Sequence, residues 1–417
     1  MNPQRRWTQL ALGIVCAVAI ANLQYGWTLF IDPIHRTHGW SLAAIQWTFT
    51  IAITVETFIG TPVGGRFVDR FGPWLAAMAG PLIALAWAIN AVADRLSTFY
   101  LAAVLSGIGT GLIFAAINGN ALRWFPDRRG FAAGLTAAGF AGGGALITLP
   151  LASTIQASGY QAAYLWFGLG QGVVVLVAAI FLRAPTAAEA DALPPVRLPQ
   201  RDGHLPPRMM VKTTPFWLMY AMFVMVAAGG LMTAAQLAPL ATAYGVAQTP
   251  IAVLGVSLPA IRAALVFGLL MNALSRPLFG WLSDRIGRER AMFAAFAIEA
   301  SALLGLVLQG HDAVAFVLFT GLVFFAWGQI FSLFPAICAD TYGDRFAGAN
   351  WGILATAKGV AAWFVPIASL LAEANGTWIT AFAVAALLNA IAALLVLALH
   401  PARRRLIAAS RNRGPAR

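Results

Sequence analysis

Arg276 and Lys358 carry charge where this 417-residue chain can least afford it. Arg276 lies in Leu269-Leu-Met-Asn-Ala-Leu-Ser-Arg-Pro-Leu-Phe279, and Lys358 in Trp351-Gly-Ile-Leu-Ala-Thr-Ala-Lys-Gly-Val-Ala-Ala-Trp363, both runs of apolar and small residues. A cation at mid-bilayer costs at least about 2.5–3.5 kcal/mol, so each implies a partner or a function. An arginine offers a planar fork that matches a carboxylate, and a lysine a compact second charge. Together they could clamp a small anion. The alternative is internal pairing with Asp32, Glu56 or Glu299, and Asp32 or Glu56 could also take up a proton and couple it to transport.

Further polar and aromatic groups stand at helical spacing around them. Asn272, one turn before Arg276, can hold the guanidinium or contact a substrate. Gln24 and Thr28 are one turn apart with Tyr25 beside them, and Gln46 and Thr50 repeat the spacing. Such faces donate to a carboxylate or join helices. Trp327 and Phe331, also one turn apart, are core or ligand wall.

The elements that must position these groups are membrane spans. The chain is 60% hydrophobic and only 10% charged, where a soluble domain carries roughly a quarter charged residues. Apolar runs of about 20 residues recur from end to end, enough for twelve spans. The first, from Trp7 to Ile31, is too long for a signal-peptide core and is read as retained. Residues 183–213, rich in proline and charge, divide the chain. The expected organisation is a six-helix half over 1–182, a linker over 183–213, a second half over 214–400 and a basic tail over 401–417. Arg276 then falls in the eighth span, eight residues before Asp284, and Lys358 in the eleventh, eight after Asn350. At 1.5 Å per residue both lie roughly 12 Å from the same membrane edge, level with one another.

The net charge of +12 is a matter of topology. One side collects Arg5, Arg6, Arg66, Arg70, Arg123 and Arg128, with the linker and tail arginines, whereas the other has Arg36, Arg95 and Arg262. By the positive-inside rule both termini face the cytoplasm of a plasma-membrane protein. Nucleic-acid binding is not needed to explain the charge. Cys16 and Cys338 sit in apolar runs as packing residues, the histidines lie near loops, and no metal or cofactor motif appears. No nucleophile–base pair stands at span depth, which argues against an intramembrane enzyme. A sensor that never moves its ligand lacks a signalling domain.

Gly65-Arg-Phe-Val-Asp69-Arg70-Phe-Gly72 follows the second span, and Gly280-Trp-Leu-Ser-Asp284-Arg285-Ile-Gly287 follows the eighth. Gly65 and Gly280 allow close helix approach, Asp69 and Asp284 can accept hydrogen bonds at a neighbouring helix N-terminus, and Gly72 and Gly287 permit the turn. This duplicated motif resembles that of the major facilitator superfamily. The resemblance implies an all-α fold of two pseudo-symmetric six-helix halves, with the substrate between them and rocking alternating access.

A closer resemblance is carried by Asn118-x-x-x-x-Arg123-Trp-Phe-Pro-Asp-Arg-Arg-Gly130, by Gln24-Tyr25-x-Trp27-Thr28-Leu29 and by Ser41-Leu-Ala-Ala-x-Gln46. These are similar to the oxalate/formate antiporter family. In that family an arginine of the eighth span and a lysine of the eleventh bind the oxalate dianion, so the resemblance assigns Arg276 and Lys358 to substrate. It also implies an aromatic box, here keeping Tyr25 and Trp327 but with Phe114, Phe140 and Phe331 in place of hydroxylated rings and Ala355 in place of a bulky one. The expectation is a monomeric transporter of small carboxylates with a roomier, less polar pocket. It would exchange them against a counter-anion, or alternatively work as a proton-coupled carrier of lactate- or pyruvate-like monocarboxylates.

Overall fold

The computed structural model describes residues 4–22, 26–195, 203–253 and 256–411. In lipid each backbone N–H and C=O must be satisfied within its own segment, so the apolar runs fold as helices. Among the described residues, eight helices are each long and apolar enough to cross a bilayer alone. The first, second, third and eleventh spans are assembled from shorter pieces, which completes twelve.

The described helices of the first span are Gln4–Ala19 and Thr28–His38. The second runs Leu42–Val55, a π turn Glu56–Gly60 and Thr61–Phe71. Its cause is local. Pro62, in the first turn of the last piece, has no N–H to give back along the helix, and the Thr61 hydroxyl donates instead to the Glu56 carbonyl at 2.9 Å. The third span is a 3-10 turn Pro73–Met78 leading into Ala79–Val92, and the fourth is Leu96–Trp124. Arg129–Ile180 holds the fifth and sixth, parted at Gly159, whose φ of 83° favours glycine.

In the second half the spans are Thr214–Ala243, Ala260–Ile286 and Arg288–Gln309, then Ala313–Gly328 continued by Ile330–Tyr342. Ala347–Ala362 continued by Phe364–Asn375 makes the eleventh, and Ile379–Arg411 the twelfth. The basic tail thus begins as a continuation of the last helix. A short antiparallel hairpin, Pro250–Val253 with Val256–Pro259, joins the seventh and eighth spans. Inside the linker, Thr186 and Glu189 close a capping box on Ala187–Asp191.

Each half has its own apolar core: Phe30, Ile83 and Tyr164 belong to the first, and Phe223, Phe296 and Phe334 to the second. Large apolar side chains such as Trp166, Leu308 and Leu394 remain exposed on the outside, as a lipid-facing surface requires. Between the halves, cross-half hydrogen bonds cluster on the face that carries both termini, below called the terminal face.

Candidate functional site

Arg276 is 1% exposed and is held from both halves. Its guanidinium donates to the carbonyl of Ala137 in the fifth span at 2.7 Å and to Asn272 Oδ1 at 2.8 Å. Asn272 in turn donates from Nδ2 to the Phe324 carbonyl at 3.0 Å, which fixes its oxygen toward the arginine. Asn272 thus stands behind the guanidinium and is not among the described residues that line the cavity. The close packing depends on Gly134, where a Cβ would collide with the Arg276 carbonyl.

Lys358 approaches the same space from the eleventh span. Its Nζ lies 3.5 Å from Glu56 Oε1, at the outer limit of a hydrogen bond, so this is an ion pair with a loose contact. Both members are buried. Glu56 stands at the start of the π turn, which sets the rotation at which the second span presents its carboxylate. The two cations converge on one ring: Arg276 Cζ is 4.8 Å and Lys358 Nζ 5.6 Å from the centroid of Phe331, both within cation–π range. Arg276, Lys358 and Glu56 thus bring two cations and one acid into a buried space between the halves.

A cavity is lined by Arg276, Lys358, Glu56, Phe331 and Ala355, and on the first-half side by Phe114 and Phe140, which pack edge to face at 4.7 Å. Thr57, Thr61, Phe223 and Trp351 also line it. Sequence reasoning did not single out these four. Thr57 and Thr61 follow Glu56 closely, and that proximity was the available signal. Trp327 points elsewhere. Its indole packs on Gly230 and against Phe324 in the second half's core, and it does not line the cavity. Glu299 is wholly buried away from the site, beside Asn389 and Gly229. Gln24 and Tyr25 lie outside the described residues, as do the side chains of Asp32 and Gln46.

The duplicated motif closes the terminal face. Asp69 accepts from the backbone N–H groups of Gly348 and Ala349 at 3.3 and 2.9 Å, the first turn of Ala347–Ala362. Asp284 accepts from those of Gly130 and Phe131 at 3.1 and 2.9 Å, the first turn of Arg129–Ile180. Each carboxylate therefore caps a helix of the opposite half, where free N–H groups and the dipole favour an anion. A Cβ on Gly65 or Gly280 would strike the carbonyl of Gly348 or Gly130. Gly72 and Gly287 turn the chain with φ of 94° and 100°. Among the described residues the motif arginines, Arg70 and Arg285, form no ion pair in this interface. Arg70 lies over Phe71 and Arg285 over Trp281, while Arg123 and Arg288 bond the two aspartates.

A bundle of two such halves with a charged cavity between them defines a membrane transporter. A model of the Major Facilitator Superfamily matches residues 10–271 and 241–416. The oxalate:formate antiporter of Oxalobacter formigenes is 33% identical over 390 residues, 93% of this chain and 90% of that protein. The chain belongs to the oxalate/formate antiporter family of the major facilitator superfamily. Monocarboxylate transporter 13 of Bos taurus is 36% identical over 99 residues, 23% of each chain. Among solved structures the proton:xylose symporter XylE superposes with a TM-score of 0.71 at 13% identity, covering 95% of this chain and 96% of that one, a likeness of fold. The protein is a multi-pass membrane transporter and not an enzyme.

Proposed function

We propose that the protein exchanges small organic carboxylate anions across the plasma membrane, binding the carboxylate between Arg276 and Lys358. The observation that carries this reading is the convergence of both cations on Phe331 in a buried cavity shared by the two halves. Arg276 supplies directional charge-assisted hydrogen bonds, and Lys358 neutralises the remaining charge. Phe114, Phe140, Phe223 and Ala355 give the rest of the wall an apolar character, which suits a carboxylate with an apolar portion as well as a compact dianion. A bound carboxylate draws Arg276 and Lys358 together from the two sides of the cavity, so the loaded carrier closes and rocks more readily than the empty one. That difference favours exchange over net uptake.

A second reading rests on Glu56. Because it sits 3.5 Å from Lys358, an entering carboxylate competes with it for the same cation. A proton on Glu56 would release Lys358 to the substrate and couple anion to proton movement. With both termini cytoplasmic, as the arginine-rich terminal face favours, the closed terminal face corresponds to a conformation sealed toward the cell interior.

Purified protein should gain thermal stability with mono- or dicarboxylates, by about 2.7 kcal/mol at a hundredfold excess over the dissociation constant. Arg276→Ala should lose the gain with every carboxylate. Loss in Lys358→Ala for dicarboxylates alone would make the lysine the reader of a second carboxyl. In reconstituted vesicles, uptake that requires internal counter-anion supports exchange. Uptake driven by a pH gradient without counter-anion, and abolished in Glu56→Gln, replaces exchange with proton coupling.

A further inference from the structure

We propose that the central cavity grades from charged to apolar along the eleventh span and selects a monocarboxylate that bears a ring or a branched chain. This rests on the carboxylate reading above and adds what the rest of the cargo must be. Trp351, Ala355 and Lys358 all line the cavity. Spaced i, i+4 and i+7 in Ala347–Ala362, they make one stripe on one face of that helix. Trp351 stands seven residues nearer the terminal face than Lys358, about 10 Å along the axis.

The second span runs beside this stripe and fixes the levels. A Cβ on Gly359 would strike Phe58 and Thr57, and one on Gly352 would strike Pro62 and the Thr61 carbonyl. Thr57 is therefore level with Lys358, and Thr61 with Trp351. Glu56 and Arg276 belong to the Lys358 end, through the ion pair and the shared ring of Phe331.

The two ends differ in chemistry. Among the described lining residues, Glu56, Arg276 and Lys358 are the only charged ones. Thr57 donates its hydroxyl to the Ile53 carbonyl and Thr61 to the Glu56 carbonyl, both at 2.9 Å, so neither has a proton left for a ligand. Trp351 lies parallel to Phe223, at 5.9 Å and 14°, and Phe223 parallel to Phe334, at 4.6 Å and 9°. These two wholly buried rings hold the indole in place, while Trp351 and Ala355 keep 5% and 8% of their own surface accessible. Between the cations and the indole, Ala355 adds only a methyl group; a larger side chain there would project into the cavity.

A cargo that fills this space sets its carboxylate against Arg276 and Lys358 and its apolar group past Ala355 onto Trp351. A compact dianion keeps both carboxylates at the charged end. An extended dicarboxylate would carry its second charge to the end where no described cation or hydroxyl proton meets it, and an unpaired buried charge is costly.

The test is thermal-shift titration of the full-length protein with pairs of ligands. Each protein is judged by the ratio of two dissociation constants, so that a general loss of stability cancels. Each buried methylene contributes about fourfold in affinity, so phenylacetate and isovalerate should bind at least about tenfold more tightly than acetate. Hexanoate should bind several-fold more tightly than adipate, which has the same chain length. Ala355→Trp should bring the phenylacetate-to-acetate ratio toward unity, and the smaller change Ala355→Val should bring it part of the way. Equal affinity for phenylacetate and acetate in wild type, or a ratio unchanged in both variants, would overturn the proposal and leave carboxylate binding standing. So would adipate matching hexanoate. If no carboxylate, oxalate included, shifts the melting of wild type, the carboxylate reading itself fails.

Discussion

The two halves close the terminal face with the same sequence motif and different electrostatics. Asp69 caps Ala347–Ala362 and is bonded by Arg123, from the end of the fourth span, at 2.6 Å. Asp284 caps Arg129–Ile180 and is bonded by Arg288, from the start of the ninth. The divergence begins with one exchange: Gly72 is followed by Pro73, whereas Gly287 is followed by Arg288. Without an arginine at that place, the first half takes its cation from the fourth span. The second half has its cation already, and at the matching end of the tenth span it carries Asp340, four residues before Asp344 as Arg123 is four before Asp127.

Asp340 extends the second latch into a network. Its carboxylate takes Arg288 Nε at 2.9 Å and Arg129 of the opposite half at 3.0 Å. Arg129 and Asp340 are each 1% exposed, whereas the Arg123 side chain keeps 17%. The lesson is that pseudo-symmetry of fold does not impose symmetry of strength. The Asp69 side is a single ion pair near water, and the Asp284 side a buried alternation of charges that crosses the interface at Arg129–Asp340. Interactions of the first kind break at little cost, and those of the second kind do not. The Asp69 side should open first.

The largest effect is expected at Asp340. Asp340→Ala leaves Arg129 and Arg288 buried without their common acid and should cost about 3–5 kcal/mol in denaturant titration of the purified protein. Asp69→Ala uncouples two backbone N–H groups and a partly exposed arginine, and should cost about 1–3 kcal/mol. Arg123→Ala should cost less, about 1 kcal/mol or under, because its pair is partly solvated. If Asp69→Ala proves as damaging as Asp340→Ala, the latches are equivalent and the proposed order of opening fails.

Much of this was legible in the sequence. The twelve spans, the duplicated motif and the common depth of Arg276 and Lys358 follow from hydropathy, spacing and charge. The capping roles of Asp69 and Asp284 follow from the chemistry of helix ends. What stayed hidden is helical phase. In a soluble helix the polar side marks water, but here lipid-facing and cavity-facing surfaces are both apolar, so periodicity does not say whether Trp327, Trp351 or Phe223 looks inward. The π turn at Glu56–Gly60 shifts the phase again and places Thr57 and Thr61 on the cavity wall. Glu56 was one of three acids able to meet a cation, and only the packed halves show that it meets Lys358. The pairing of Asp69 with Arg123 was hidden for the same reason, since long-range partners leave no local signal.

The smallest effect sharpens the comparison from outside the interface. Glu189, in the linker, is bonded by Arg183 of the same segment at 2.7 and 2.8 Å and by Arg5 of the first half at 3.2 Å, so it fastens the linker to the first half. The Arg183 hydrogen bonds, with the Thr186 backbone N–H, hold its carboxyl well below the usual carboxylate range. A depressed folded value means that the contact stabilises above the unfolded pKa of about 4.3 and that this contribution is lost as pH falls toward the folded value. The protection of amides across 183–195, measured as exchange relative to the intrinsic rate at each pH, should therefore fall on acidification in wild type. In Glu189→Gln that protection should be low throughout and insensitive to pH. Exchange at Gly130 and Phe131, capped by Asp284 in the buried network, should stay slow under the same conditions. Loosening at both places together would show that the linker couples to the second latch as well, and the two sides of the terminal face would no longer be independent.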